Sequence, residues 1–276
     1  TMNNLNEIKH FTPAQTLMLT KPTWTSGKDL MKYSFLDLVY RGILKVYKDW
    51  RLPHPNDARE RLYTFVSKGE HFNSYKHSLH QNLFVNPFIE DDYEYQVRSL
   101  VRKVYDELGK LSYFKLKMVY KELKIGGFFI SSQGLQYLSL FFLSKKGIKL
   151  KRELKNTLEE AENLLPGYAD NNPKEAKKIL NKLGSNVLLL NCFNDELIGQ
   201  LKPLFNNLNN KKQTLPENPF GDYEDVSDIL FYSFLDTIDT FDSSFDSFDN
   251  SFDFGSSDFG SDFGGGDFGG DFGGFD

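Results

Sequence analysis

Cysteine is nearly missing from this chain: Cys192 is the only one among 276 residues. No intrachain disulfide can form, and a zinc site built from four thiolates is excluded. Long hydrophobic runs are missing too. No window reaches the roughly 18 apolar residues of a membrane span. The richest, Phe128 to Leu143, is interrupted by Ser131, Ser132, Gln133 and Gly134. Residues Thr1 to Phe11 hold no basic segment followed by an apolar one. No secretory leader is therefore expected, and the cytoplasm is the expected compartment. Glycine-rich phosphate loops, the HExxH zinc helix and the GxSxG nucleophile elbow are all lacking. Gly126-Gly127 has no neighbouring Lys-Ser or Lys-Thr.

Basic residues stop at Lys212. The first 212 residues hold 33 basic and 22 acidic side chains, a net +11; the remaining 64 hold 16 acids and no Lys or Arg. The overall charge of −5 conceals this division. Such an asymmetry between segments points to anionic partners and to self-interaction.

Phenylalanine is in excess, with 26 in the chain, and 10 of them fall in the last 36 residues beside 9 Asp, 9 Gly, 7 Ser and one Asn. The motif drifts from Phe241-Asp242-Ser243 to Asp258-Phe259-Gly260 and then to wider glycine spacing. Without aliphatic residues there is little to form an interior, and glycine raises the entropy cost of order. A disordered tail is expected over 241–276. Solubilisation, docking on a basic groove of its own body or a partner's, and weak multivalent self-association all fit it. Just before it, Asp222 to Thr240 carries Val226, Ile229, Leu230, Phe234, Leu235 and Ile238 at helical spacing among acids. The spacing predicts an acidic amphipathic helix within a 213–240 linker. It either packs back on the body or offers a partner an apolar stripe.

The body reads as mainly α with small β hairpins. Thr12 is a candidate cap for a short helix over 13–20, and Thr25 or Ser26 for a helix starting near Gly27 and ending at Gly42. Ile43 to Tyr47 and Leu62 to Val66 read as strands joined by the polar loop Asp49 to Arg61. Two helices followed by a hairpin with a long tip is a winged-helix order, expected for residues 1–89. Residues 90–212 repeat the outline more loosely, as a helical and possible second winged-helix-like subdomain. Its helices are expected at Tyr93 to Leu108, Tyr113 to Leu123, Ile148 to Leu165 (closed by Pro166 and Gly167) and Pro173 to Leu183 before Gly184. Leu135 to Leu143 is an apolar segment, and Val187 to Phe193 a buried run that periodicity leaves open between helix and strand.

The string Lys28 to Val46, KDLMKYSFLDLVYRGILKV, together with the Gly/Phe/Ser run Phe252 to Phe275, resembles a bacterial group of membrane-associated proteins of unknown function. That resemblance implies winged-helix-like soluble segments ending in a Gly-rich tail. The same string is similar to part of the Golgi phosphoprotein family, which implies a helical fold that binds phosphoinositide headgroups. No binding residue carries over from it.

Three groups of side chains are candidates for chemistry. His71, His77 and His80 lie within ten residues, and His77 and His80 share a helical face at a spacing that can hold a metal. Lys76 and the absence of a second carboxylate pair favour ordinary hydrogen-bonded histidines and no metal. Cys192, in LLLNCF, reads as a buried inert thiol. Asp91 and Asp92, with Glu90 and Glu94, read as acids at the positive end of the Tyr93 helix.

Basic surface is the remaining signal. Lys115, Lys117, Lys121 and Lys124, then Lys145, Lys146, Lys149, Lys151, Arg152 and Lys155, are candidates for contacting anions, with Tyr113, Phe114 and Tyr120 interleaved. On the helix from Gly27, Lys28, Lys32 and Arg41 alternate with Asp29 and Asp37, a mixture that argues against a dedicated DNA reader. The expected function is a non-enzymatic interaction or scaffold protein with no cofactor, whose acidic aromatic tail competes for the basic body. A protein is the expected partner. A winged-helix nucleic-acid regulator and a binder of anionic membrane surfaces are the alternatives.

Overall fold

A computed structural model describes residues 5–54, 56–90, 93–130, 141–194, 196–201 and 237–245. The chain is mostly helical, with one small antiparallel sheet among the described residues. Helix α1 (Pro13–Thr20) begins at Thr12, whose hydroxyl accepts the Gln15 amide while the Gln15 side chain accepts the Thr12 amide. Helix α2 (Gly27–Tyr40) begins with the same reciprocal box between Ser26 and Asp29. Each box satisfies donors that helix geometry leaves unpaired. Both caps match the sequence expectation, and Thr25 turns out to bond backward, to Lys21 O.

The hairpin follows as expected but is longer. Strands β1 (Leu44–Arg51) and β2 (Arg61–Lys68) pair from Leu44 opposite Lys68 to Arg51 opposite Arg61. At the foot of the hairpin Gly69 lies against the backbone of Gly42: a Cβ on Gly69 would stand 2.2 Å from the Gly42 carbonyl oxygen. Only glycine fits there. Helix α3 (Leu79–Val85) comes next, and then strand β3 (Tyr95–Gln96), which pairs with Val66 and Phe65 on β2. The helix expected from Tyr93 therefore starts later, as α4 (Val97–Leu108). Tyr95 and Gln96 are taken by the sheet edge, where their backbone groups find β2.

Helix α5 (Leu111–Tyr113) runs through a π-helical stretch (Phe114–Tyr120) into α6 (Lys121–Ile125). Helix α7 (Lys145–Asn171) begins at Ser144 and continues through Pro166, where the sequence predicts an end. Leu165 and Ala169 are both buried. Packing on either side of the proline outweighs its missing donor. Helix α8 (Pro173–Leu183) starts on Asn172 and stops at Gly184, as expected. Val187 and Leu188 then lie buried in a 3-10 turn (Gly184–Leu189), so the open run is neither α-helix nor strand.

One contiguous cluster of buried side chains extends from Ile8 to Phe245 and crosses residue 90 without a break. Helix α1 is central to it, packing against α2, α7 and the π stretch. Among the described residues no helix is long and apolar enough to cross a membrane. Asp91, Asp92, most of the apolar segment before Phe141 and most of the acidic helix expected before Thr240 lie outside the described residues.

Candidate functional site

Residues 237–245 form a helix seated on the body. This differs from the sequence reading, which starts the disordered tail at Phe241. Phe241 is 0% exposed and Phe245 3%. The reason is tertiary: the body supplies the apolar surface that the tail's own composition lacks. Burying each ring contributes about 1.5–3 kcal/mol.

The seat is built mainly by α2. Lys28, Lys32 and Phe35 recur at helical spacing and so share one face. Phe35 lies between two rings, Phe84 at 5.5 Å and Phe241 at 5.7 Å between centroids. Phe241 in turn stacks on Phe245 at 5.6 Å, and Phe245 meets the Tyr105 ring of α4 edge-on at 6.0 Å. Lys32 Nζ donates to Asp242 at 2.5 Å, and Lys28 Nζ stands 5.6 Å over the Phe245 ring. On the sheet side, the hydroxyls of Thr64 and Thr240 are 3.5 Å apart. Burial, and then the carboxylates of Asp29 and Asp242, push the Tyr33 hydroxyl above its ordinary range. The seat thus reads two rings one helical turn apart, with a carboxylate beside the first.

The lysines singled out in the sequence are elsewhere, and two have internal partners. Lys115 Nζ donates to Thr25 O at 2.7 Å and stands 4.8 Å over the Phe141 ring, and burial pushes its ammonium down to about 8. Lys146 Nζ donates to Gly126 O at 3.0 Å and covers the Phe128 ring at 4.4 Å. That places a cation at the C-terminal end of α6, where the helix dipole favours one. Lys149 is exposed and 3.9 Å from Glu153. Lys117, Lys121, Lys145, Arg152 and Lys155 are exposed, and Lys124 and Lys151 half-buried. The described part of the tail meets none of these ten; it meets Lys28 and Lys32.

The three histidines part company. His80 is buried, His77 packs beside the Phe72 and Tyr75 rings, and His71 lies against Gly42. Burial pushes the His77 imidazole below its ordinary range. Among the described residues no three His, Cys, Asp or Glu side chains gather in a way that could hold a metal ion. Cys192 is half-buried where the sequence predicts burial, and its amide donates to Glu162 at 2.7 Å. Burial first, then Glu162, push its thiol up to about 11, which keeps the nucleophilic thiolate scarce at neutral pH.

His80 has a role that no local pattern signals. Its Nε2 is 3.0 Å from the Thr12 hydroxyl, and its Nδ1 is 2.7 Å from Glu122. Hydroxyl, imidazole and carboxylate stand in the order of a hydrolase triad. Thr12 is 4% exposed and His80 0%, however, and the hydroxyl already caps α1. Glu122 also accepts from Gln15 at 3.1 Å and from the Leu79 amide. Burial works against the Glu122 charge, yet these bonds outweigh it and hold the carboxyl below its ordinary range. The group ties α1, α3 and α6 together.

A second buried cluster sits next to it. Asp37 is fully buried, accepting from Arg41 at 2.7 Å and from Gln81 at 2.6 Å. Arg41 also donates to Ser185 at 3.0 Å. Burial pushes the Asp37 carboxyl upward, with Arg41 opposing. Asp37 and Arg41, read in the sequence as part of a mixed helix face, are in fact a structural pair.

No family model, no curated protein and no solved structure matches the chain.

Proposed function

We propose that this chain is a non-enzymatic cytoplasmic interaction protein whose seat on α2, α4 and β2 receives a helical segment bearing two phenylalanines and an acid. Its own residues 237–245 occupy that seat in cis and compete with a protein partner of the same chemistry. One observation carries the reading: the 237–245 helix buries Phe241 and Phe245 on the body and sets Asp242 on Lys32. Thirty-five residues separate Leu201 from Thr237. At about 3.3–3.6 Å per residue this connection can reach far across a domain of this size. A tethered ligand of this kind raises the affinity a partner needs.

The test is fluorescence anisotropy with a labelled peptide of the sequence of residues 237–245. The full chain is compared with its Phe241→Ser/Phe245→Ser/Phe248→Ser/Phe252→Ser variant. Binding to the variant at least about thirtyfold tighter than to the wild type supports the reading. A folded variant that ignores the peptide makes 237–245 an ordinary part of the core. Labelled duplex DNA, run in parallel, distinguishes a nucleic-acid partner for the same lysines, through its steep salt dependence.

A second reading rests on a separate observation. Ile125, Ile130, Phe142 and Ile148 are exposed around the hairpin-like meeting of 128–130 with 142–144, where Ile130 N donates to Phe142 O at 2.9 Å. Lys145, Lys146 and Lys149 flank them. An apolar patch rimmed by lysines suits an anionic membrane surface. Co-sedimentation with phosphatidylserine vesicles, lost in Phe142→Asp and absent with phosphatidylcholine alone, would support it. Equal sedimentation of the two proteins would refute it.

A further inference from the structure

The 237–245 helix buries one stripe: Thr237, Phe241, Ser244 and Phe245 are buried and Ile238 packs against the core, while Asp239 and Ser243 face outward. Two small polar residues, three apolar ones and the Asp242 carboxylate are therefore what the seat selects. Seven residues further on, the sequence offers the same set again. TIDTFDSSF, residues 237–245, becomes SFDSFDNSF, residues 244–252. In this alignment Thr237 becomes Ser244, Ile238 becomes Phe245, Phe241 becomes Phe248, Asp242 becomes Asp249, Ser244 becomes Ser251 and Phe245 becomes Phe252. Every seat-facing position keeps its chemistry.

The match is confined to this step. One step further places Gly255 where Phe241 stands, and one step back places Leu235 where Asp242 stands. The later Phe259/Phe263 and Phe268/Phe272 pairs have Gly beside the first ring, leaving Lys32 without an anion. A shift of seven residues returns a helix to nearly the same face, about 10 Å along its axis.

We infer that the seat accepts either of two registers of the tail, 237–245 or 244–252, and that the second takes over when the first is withdrawn. This rests on the reading of the seat as a peptide site. The two segments share Ser244 and Phe245, so one seat holds one register at a time. Moving to the second adds seven residues to the connection from the body without emptying the seat. A partner that captures the acidic residues before Phe241 would thus gain length while the groove on α2 stays closed. The latch opens only when both registers are lost.

The test uses the full chain and reads how fast Lys32 is acylated, with peptide mapping by mass spectrometry. Phe241→Ser alone and Phe248→Ser alone should change the rate less than about twofold, and the double variant should raise it about tenfold or more. If Phe241→Ser alone gives the full increase, the two-register inference is overturned while the seat stands. If no variant changes the rate and all are folded, the reading of the seat itself fails. Because Phe241→Ser risks disturbing the fold, a second experiment keeps the core intact. A photo-crosslinking phenylalanine analogue replaces Phe248 in the Asp242→Asn chain, which keeps both buried rings but leaves Lys32 free to take Asp249, and the protein is irradiated. Adducts within one chain to the Phe35 turn of α2, which Phe241 fills in the first register, support the second register. Adducts to that turn only between chains, or none to that turn, overturn it.

Discussion

Lys32 and Asp242 are 210 positions apart in the chain and 2.5 Å apart in space. Their contact fixes the acidic tail to a particular turn of α2, beside the stacked rings of Phe35 and Phe241. Charge gives this contact its register, and the rings give it its area.

Because Lys32 and Asp242 remain partly open to water, their pairing is modest in energy. A double-mutant cycle of Lys32→Gln and Asp242→Asn should return a coupling of about 0.2–1 kcal/mol. It should shrink as salt rises. Hydrogen exchange of the 237–245 amides, at low and high salt, measures it.

Glu122 should govern the acid limit of stability. Its carboxyl lies below the ordinary value of 4.5 in the folded chain. Its contribution is therefore complete above about 4.5 and disappears as pH falls through the lower folded value. Glu122→Gln should lose about 1–3 kcal/mol at neutral pH. The gap between variant and wild type should close on acidification. Urea midpoints across the acid range test both statements.

Lys115 should act with the same sign on the alkaline side, for the opposite reason: burial disfavours its charged form. Burial pushes its ammonium from 10.5 down to about 8, so the folded chain disfavours the charged form relative to the unfolded one. Stability from this group rises as pH climbs through about 8 and levels off above 10.5. Lys115→Met should lack that rise, so the difference between the two thermal midpoints should change with pH across this window. A parallel pH dependence in both proteins would place the effect elsewhere.

Gly147 is a helix residue where alanine should destabilise. In an exposed helix interior the change would gain up to about 1 kcal/mol. Here the new Cβ would stand 2.1 Å from the Phe128 carbonyl oxygen and 3.1 Å from Leu143 Cδ2. A backbone oxygen cannot swing aside as a flexible side chain does, so Gly147→Ala should cost about 1–3 kcal/mol. Urea denaturation of the full chain gives the value. A neutral result would mean that α7 moves freely against residues 126–129.

Several elements were legible because their causes are local. Thr12, Ser26 and Gly184 act on amides or carbonyls a few positions away, so a cap can be read within one turn of chain. The hairpin could be found because alternation and a polar, proline-containing loop are short-range patterns. Pro166 misled for the same reason. Its local cost is real, but Leu165 and Ala169 are held by distant neighbours that no window of sequence contains.

By itself, the sequence determined the mainly helical body, the lone thiol, and the separation of a basic segment from an acidic one. Composition and short-range chemistry are sufficient for these. Tertiary structure alone decided that Tyr95 and Gln96 join the sheet, that His80 bridges Thr12 and Glu122, and that Phe241 and Phe245 belong to the core. Each of these is a pairing across 29 positions or more. A tail poor in aliphatic residues cannot build an interior of its own, but it can complete one that Phe35 and Tyr105 leave open.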